Sequence, residues 1–542
     1  LVGSEMCIRD SPPPEASKAA EWLLDNDYFV DRALKQIRKD MPTGFYQRLP
    51  ALGGLDGKVP RVLVLAQDFL HATRLQVSLA NAVTFMHAFQ RHAPLTIGEL
   101  WAFPTMLRIA CIELLIAALT PMLDERVAYP FPIPANADTF HSLDATESVS
   151  RALGNLGVIA AIKWSDFFDQ VSLVEDSLAR DPAGYYPLMD FETRDTYRRA
   201  VETMAQLARQ DEIAVAIAAI QYASASPAED VSHHVGYWLI DQGRRRLEAD
   251  LGIRLPLKDR IIRMANAHPG RFYFFILVLA ALGASLLPAL YLHQVGADVW
   301  EWIGGLLLSQ LPASVLALSM VYWTLTRLIS PRILPKLDCK AGLPGDASTI
   351  VAMPVIVAGI PEIAALAERM ESHWMANRDP LLQVALLVDL FDAATEVTDD
   401  DEAIVVALKN AIDRLNRRHQ SGLLKPFHLL LRPRYYNRAE GCWMAWERKR
   451  GKLEQFNCLL VNGDWSGFSD HLGNREALEH VHFVVTVDGD TMLPPGSVGR
   501  LVGTLAHPLN RASVDPASGR IARGYTIIQP RVSFAPPAVI PC

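Results

Sequence analysis

Two uncharged stretches set the terms for the whole chain. Residues 272–292 run for 21 positions, and residues 303–326 for 24, without an Asp, Glu, Lys or Arg. At a helical rise of ~1.5 Å per residue, either would cross a hydrocarbon layer ~30 Å thick. Two buried helices of a soluble core are the competing reading. Two such lengths side by side are rare in soluble domains, so a membrane hairpin is the stronger expectation. Lys258, Arg260, Arg263 and Arg271 precede the first stretch, and Arg327, Arg332, Lys336 and Lys340 follow the second. The short connection has Asp298 and Glu301 but no Lys or Arg, and Tyr291, Trp300 and Trp302 cluster near it. The positive-inside rule then puts both flanks, and the large regions beyond them, in the cytoplasm.

Around this hairpin the chain divides into dissimilar parts. Residues 12–254 read as helix almost throughout, with apolar positions at three and four spacing, as in Leu75, Leu79, Val83 and Met86. Residues 106–122 are strongly apolar, but Arg108 and Glu113 interrupt them and Pro121 lies near their end. A buried core helix fits better there than an interfacial one. His71, His87 and His92 are scattered and read as surface or core residues rather than ligands. Residues 346–542 alternate strand and helix. Strands are expected at 350–358, 381–388, 427–431, 481–487 and 525–532, with helices at 361–375, 399–419, 446–460 and 496–505. Strands separated by helices imply parallel pairing in a doubly wound α/β sheet, which binds ligands at the carboxyl ends of its strands.

Net charge is −8 with no basic block, so nucleic acid is not expected as a partner. Apolar residues make up 50% of the chain and mean hydropathy is +0.13, which suits soluble regions joined to a few spans. The six cysteines, Cys7, Cys111, Cys339, Cys442, Cys458 and Cys542, form no C-x-x-C or other close pair, so neither a disulfide framework nor a zinc site is expected. Residues 1–11 read as a non-native scar, and the C-terminus at Cys542 as a cut edge, so an internal fragment of a longer protein is expected.

Chemistry concentrates at the carboxyl ends of the expected strands. Asp488-Gly489-Asp490 follows the fourth strand. Two carboxylates bind a hard divalent cation such as Mg²⁺ or Mn²⁺, which neutralises a nucleoside diphosphate as it leaves. Gly489 would let the backbone turn tightly. Alone, D-x-D is weak, and a solvated turn is the ordinary alternative. Upstream, Trp446-Glu447-Arg448-Lys449-Arg450-Gly451-Lys452 carries four cations in five positions, suited to a diphosphate or to a solvated basic face. Lys452 is the best placed for phosphate contact. Asp389 and Asp392 follow the second strand and could accept hydrogen bonds from a base or ribose, or cap a turn. Gln529 and Arg531 end the last expected strand and could face sugar hydroxyls or satisfy a loop.

Together, several blocks resemble the cyclic β-1,2-glucan synthase family of bacterial membrane enzymes. They are Glu447-Arg448-Lys449-Arg450-Gly451-Lys452-Leu453, Thr486-Val487-Asp488-Gly489-Asp490-Thr491, His507-Pro508-Leu509-Asn510 and Gly524-Tyr525-Thr526-Ile527-Ile528-Gln529-Pro530-Arg531. Upstream, Leu95-Thr96-Ile97-Gly98-Glu99-Leu100-Trp101 and Met41-Pro42-Thr43-Gly44-Phe45-Tyr46 are similar to the family's helical part. The resemblance implies an A-type nucleotide-sugar glycosyltransferase domain over 346–542, incomplete at its C-terminus, behind a hairpin over 272–329 in the bacterial inner membrane. It implies a processive, inverting enzyme that takes glucose from UDP-glucose to extend a β-1,2-glucan. Asp488 and Asp490 would hold the metal and diphosphate, Asp389 would sit near the uridine, and Lys452 near the donor. No base carboxylate is evident after Asp490, and by the resemblance the general base is expected beyond Cys542. The family's C-terminal phosphorylase-like region is missing as well, so the chain alone is expected to be inactive. Cellulose- or hyaluronan-type synthases share the D-x-D and the membrane setting. The helical region before the hairpin and the basic run argue against them. A membrane scaffold that only binds nucleotide is the non-enzyme alternative.

Overall fold

The computed structural model of the chain describes residues 14–54, 57–119, 145–328, 331, 333–419 and 425–531. The proposed scar at 1–11 and Arg332 lie outside these, as do residues 532–542. Cys542, the edge beyond which the general base is expected, is among the latter, so that expectation falls outside the described residues. The fold separates at Leu251 into two units, which are taken in turn.

Among its described residues the first unit is helical apart from one small hairpin that pairs Ala51–Gly54 with Gly57–Pro60. Its longest helix, Ile97–Leu119, is buried along most of its length and starts on a capping box. The Glu99 carboxylate accepts from the Thr96 backbone N–H at 2.9 Å, and Thr96 Oγ1 accepts from the Glu99 N–H at 3.3 Å. Glu99 is fully buried and also takes both arms of Arg61 at 2.8 and 2.7 Å. The Thr96-x-x-Glu99 block is therefore structural: it starts the core helix and locks it to a neighbour.

The second unit opens with the two long apolar helices, α1 (Pro269–Val295) and α2 (Val299–Leu328). They fold back on one another through a turn that local chemistry dictates. Gly296 closes α1 in the left-handed conformation at φ +72°, with Ala297 N–H donating to Leu292 O at 3.1 Å. Asp298 and Glu301 then exchange side-chain to backbone hydrogen bonds of 2.9 and 2.8 Å, a capping box that opens α2. Across the pair, Gln310 donates to Ser285 Oγ at 3.1 Å. By length and composition, three described helices could cross a membrane: Ile97–Leu119, α1 and α2. They differ in burial. The apolar window of Ile97–Leu119 is 61% buried, those of α1 and α2 only 6% and 11%. The core-helix reading of the first thus suits its surroundings. The other two turn Leu287, Leu307, Leu308 and Leu311 outward.

The α/β part follows as β1 (Thr349–Val357), α3 (Pro361–Ala376), β2 (Leu382–Leu390), α4 (Asp401–His419), β3 (Phe427–Leu431), β4 (Tyr435–Asn437), β5 (Cys442–Met444), α5 (Arg448–Asn462), β6 (Asp470–Leu472), β7 (Phe483–Thr486) and α6 (Ser497–Ala506). The main sheet runs β6-β3-β2-β1-β7. β3, β2, β1 and β7 are parallel, while the edge strand β6 is antiparallel, which the sequence reading did not include. Alternation with period two feeds both faces. Val351, Met353, Val355, Val384, Leu386, Val388 and Leu429 pack under α3, α4 and α6. Ile350, Ala352, Ala385, Leu387 and Leu430 meet Phe456 and Leu459 of α5 on the other face. The two alanines let α5 lie close to the sheet.

The chain grows outward from β1 to β3, then returns to place β7 on the opposite side of β1. A topological switch point therefore lies between β1 and β7, and their carboxyl ends open the crevice where such sheets bind ligands.

The strand expected at 525–532 is not formed over its described part. Ser513–Val514 pairs with Ile521–Arg523, and Tyr525 makes a single bridge to Arg511. Gly524 explains the stop. It sits at φ +78°, and a Cβ there would lie 2.0 Å from Arg511 O, so the chain bends sharply at that point. The neighbouring His507-Pro508-Leu509-Asn510 block proves to be a brace. Buried Asn510 donates to Pro335 O and Thr504 O, both at 2.7 Å, tying the segment after α2 to α6. Asn510→Ala strands two carbonyls and is expected to lower stability by about 2 kcal/mol, read as the unfolding midpoint of the purified chain. An unchanged midpoint would rule out the brace.

Candidate active site

Asp488-Gly489-Asp490 lies just beyond β7, at the switch point. Val487 N–H continues the β7 ladder to Ala352 O at 3.1 Å, and the chain then turns over the end of β1. Gly489 is not in the left-handed region, and a Cβ there would stand 3.4 Å from Val355 Cγ1, an ordinary contact. The tight-turn role expected of Gly489 is thus not what shapes this loop. Arg369 of α3 instead holds the turn by donating to Gly489 O. Both aspartates are exposed. Asp488 is paired with Lys449, whereas the Asp490 carboxylate has no hydrogen-bond or ion-pair partner among the described residues.

Directly beneath lies a charge cluster that the sequence does not announce. Asp389, at the end of β2, takes Arg432 Nε and Nη2 at 2.7 and 2.8 Å and Lys452 Nζ at 3.0 Å. All three residues are 1–2% exposed. Lys452 also donates to Val355 O at the end of β1. Burial pushes the Lys452 ammonium down to about 8, against Asp389, which favours the charged form. Asp389 and Lys452, both expected to touch the donor, are therefore inward-facing and joined to each other. Arg432 went unnoticed in the sequence reading. Its signal was available: Arg432-Pro433-Arg434 leaves a buried strand at the same edge as Asp389.

Arg432 does a second job. Its Nη1 donates to Trp446 O at 2.9 Å and to Gln455 Oε1 at 2.8 Å, and its Nη2 donates to Arg448 O at 2.9 Å. These carbonyls flank an elbow in which Glu447 and Arg448 adopt φ +51° and +45°, a conformation costly for residues with a Cβ. Gly451 is needed one turn on, because a Cβ there would come within 2.2 Å of Trp446 O. The elbow aims the amino end of α5 at the carboxyl edge of the sheet.

The four cations of the basic run consequently part ways. Lys452 is buried. Arg448 pairs with Asp392 at 2.9 Å and with Glu440 at 3.1 Å. Among the described residues Arg450 pairs with Glu447 alone, at 3.9 Å. Lys449 alone meets the D-x-D turn. Clustered cations in the first turn of a helix oppose its dipole, which favours anions there, and each costs up to about 1 kcal/mol. An anion drawn to the same place would relieve both. Asp392, Glu440 and Cys442 also offer ligand atoms within 4.8 Å of one another, but Arg448 already neutralises both carboxylates, so this trio is a poor cation site. Gln529 and Arg531 are exposed, and no hydrogen bond or ion pair among the described residues ties them to the aspartates.

Two exposed carboxylates at a strand end, a lysine beside them and a helix amino terminus suit a divalent cation with a diphosphate. Mg²⁺ and Mn²⁺ are commonly bound through one or two carboxylates, with phosphate and water oxygens completing the shell.

No family model matches the chain. Comparison with curated proteins finds the cyclic beta-(1,2)-glucan synthase NdvB of Rhizobium meliloti (strain 1021), 28% identical over an alignment that covers 95% of this chain. The chain spans only 21% of that protein's length. The similarity runs through the helical unit as well as the α/β unit, in keeping with the blocks that carry the resemblance, and it supports likeness to the cyclic β-(1,2)-glucan synthase family.

Proposed function

We propose that the β1/β7 crevice is the donor site of a membrane-bound, processive, inverting glucosyltransferase that draws on UDP-glucose and lengthens a β-1,2-glucan. The observation that carries this reading is the meeting of the Asp488–Asp490 turn with Lys449 and the amino end of α5 at the sheet's switch point. In it the domain is an A-type nucleotide-sugar fold, and α1 and α2 form a hairpin in the bacterial inner membrane with the α/β part on its cytoplasmic side. Asp488 and Asp490 would hold Mg²⁺ or Mn²⁺. The cation, when bound, would offset the charge of the departing diphosphate.

The chain's own residues have separate tasks. Lys449 can swing from Asp488 to a phosphate oxygen once Asp488 has another cation. The amino end of α5 adds backbone N–H groups and a favourable dipole. Asp389 and Lys452 serve the donor from below by fixing Arg432 and hence the elbow, and Asp392 steers Arg448. Gln529 and Arg531, both exposed, are offered to sugar hydroxyls. Calorimetric titration of the purified chain with UDP and Mn²⁺ tests the assignment. UDP binding should require Mn²⁺ and weaken at least tenfold in Asp490→Asn, with a smaller loss in Lys449→Ala. Equal UDP affinity in wild type and Asp490→Asn, with or without Mn²⁺, would remove the crevice from consideration.

A further inference from the structure

The opposite edge of the same sheet carries a second concavity. A cavity of about 680 Å³ opens where β1, β2, β3 and β7 begin, with Ser348, Leu382, Pro426 and His482 at its strand ends. β1 is nine residues long, so at ~3.3 Å per residue the cavity lies roughly 26 Å from the donor edge. The two sites cannot share one small ligand. The volume is in the range of small-molecule pockets.

Its polar lining is lopsided. Arg378 and Lys425 are exposed cations with no carboxylate partner among the described residues. His480 and His482 also line the cavity and can offer ring N–H donors. One carboxylate, Asp379, lines the cavity, and it is already engaged by the Leu343 and Leu381 backbone N–H groups at 2.8 Å each. The Arg378 guanidinium stacks 5.4 Å from the Trp374 ring centroid, which fixes its plane while leaving its edge N–H groups for an oxyanion. Gln383 also lines the cavity; it donates from Nε2 to Ala477 O at 3.1 Å, while its buried Oε1 has no partner among the described residues. Flipping the amide would set Oε1 against that carbonyl, so the orphan is an acceptor in need of a donor. A buried acceptor left unpaired costs about 1–3 kcal/mol.

We infer that this amino-edge cavity binds a small organic phosphate, its phosphate held by Arg378 and Lys425, and a hydroxyl or amine of its organic part donating to Gln383 Oε1 once the amide rotates to present that buried atom to the cavity. Sugar phosphates and nucleoside monophosphates both offer this pairing of anion and donor. The proposal does not depend on the donor-site reading.

Calorimetry on the full chain distinguishes the sources, with glucose 1-phosphate, AMP and inorganic phosphate as probes and no added metal. At least one organic probe should bind tenfold or more tightly than inorganic phosphate. The double variant Arg378→Ser/Lys425→Ser should abolish its binding. Gln383→Leu should bring the organic probe down to the level of inorganic phosphate, while Asp490→Asn should leave all affinities unchanged. Both cations are exposed, so the double variant should fold. A sugar phosphate or a nucleotide as the tighter probe identifies which class the site takes. The inference is overturned if no probe binds, if inorganic phosphate binds as well as both organic probes, if binding survives the double variant, or if it falls with Asp490→Asn.

Discussion

Asp389→Ala is expected to destabilise the α/β part by about 3–5 kcal/mol, because it leaves two cations facing each other in a site that water does not reach. Arg432 and Lys452 are both nearly inaccessible, and Asp389 is the carboxylate between them. Lys452 has an escape, since burial already holds it down to about 8 and it can shed its proton. Arg432 has none, for guanidinium stays charged. It would retain its bonds to the Trp446, Arg448 and Gln455 oxygens but lose the bidentate pair that orients its plane. The strained elbow at Glu447 and Arg448 depends on that plane, so the loss should spread to the start of α5. Denaturant unfolding of wild type and variant measures the first effect. Hydrogen exchange at the amides of residues 446–452 measures the second, as faster exchange than in the rest of α5. The pairing with Lys452 predicts a partial rescue: Lys452→Met added to Asp389→Ala should recover part of the lost stability. A change below about 0.5 kcal/mol in the single variant would mean that solvent reaches the cluster and that it is not a buried ion triad.

That cluster also shows where sequence reading succeeds and where it fails. The apolar helices were legible because length and absence of charge suffice to define them, whereas the Asp298–Glu301 capping box between them was seen only in the structure. The parallel strands were legible because strands buried on both faces read as continuous apolar runs. Their ends then pointed to Asp389 and to the Asp488–Asp490 turn. Asp389 and Lys452 were singled out as donor contacts, yet the structure turns them toward each other. The partner that decides this, Arg432, is 43 residues from Asp389, and no local pattern links them. The edge strand β6 escaped notice because three residues carry too little periodicity to stand out. The strand expected at 525–532 rested on a β-prone run, but Gly524 bends the chain against Arg511, and among the described residues the run pairs only through the Tyr525–Arg511 bridge. His507 to Asn510 and Thr96 to Glu99 mark a different limit. They are motif-like, but their side chains hold the fold together and leave the chemistry to other residues.

Acid should loosen this domain through His428. Its ring is fully buried on β3, both nitrogens lack partners among the described residues, and it stacks 6.0 Å from His471 of β6. Burial, with His471 adding to it, pushes His428 down to about 3, far below the ordinary value near 6.5. The folded group therefore stays neutral where the unfolded one takes up a proton. Below about 6.5 the unfolded chain binds more protons, so stability is full above that pH and declines as pH falls towards the folded value. For a single group this amounts to about 2 kcal/mol by pH 5. His471 is held down to about 4, chiefly by burial, and acts in the same direction, though it is only partly buried and should contribute less. Gly473 keeps the ring where it is, since a Cβ at that position would fall 2.4 Å from His428 Nδ1. His428→Leu removes the titrating group and its two unpaired nitrogens together. The variant should match or exceed wild-type stability at pH 7.5, because no hydrogen bond is lost and an uncompensated polar burial is relieved. Between pH 7.5 and 5.0 it should lose about 2 kcal/mol less than wild type in parallel denaturant titrations. Identical losses in the two proteins would show that His428 already has a proton or a partner in the folded state, and the acid sensitivity would then have to come from the carboxylates alone.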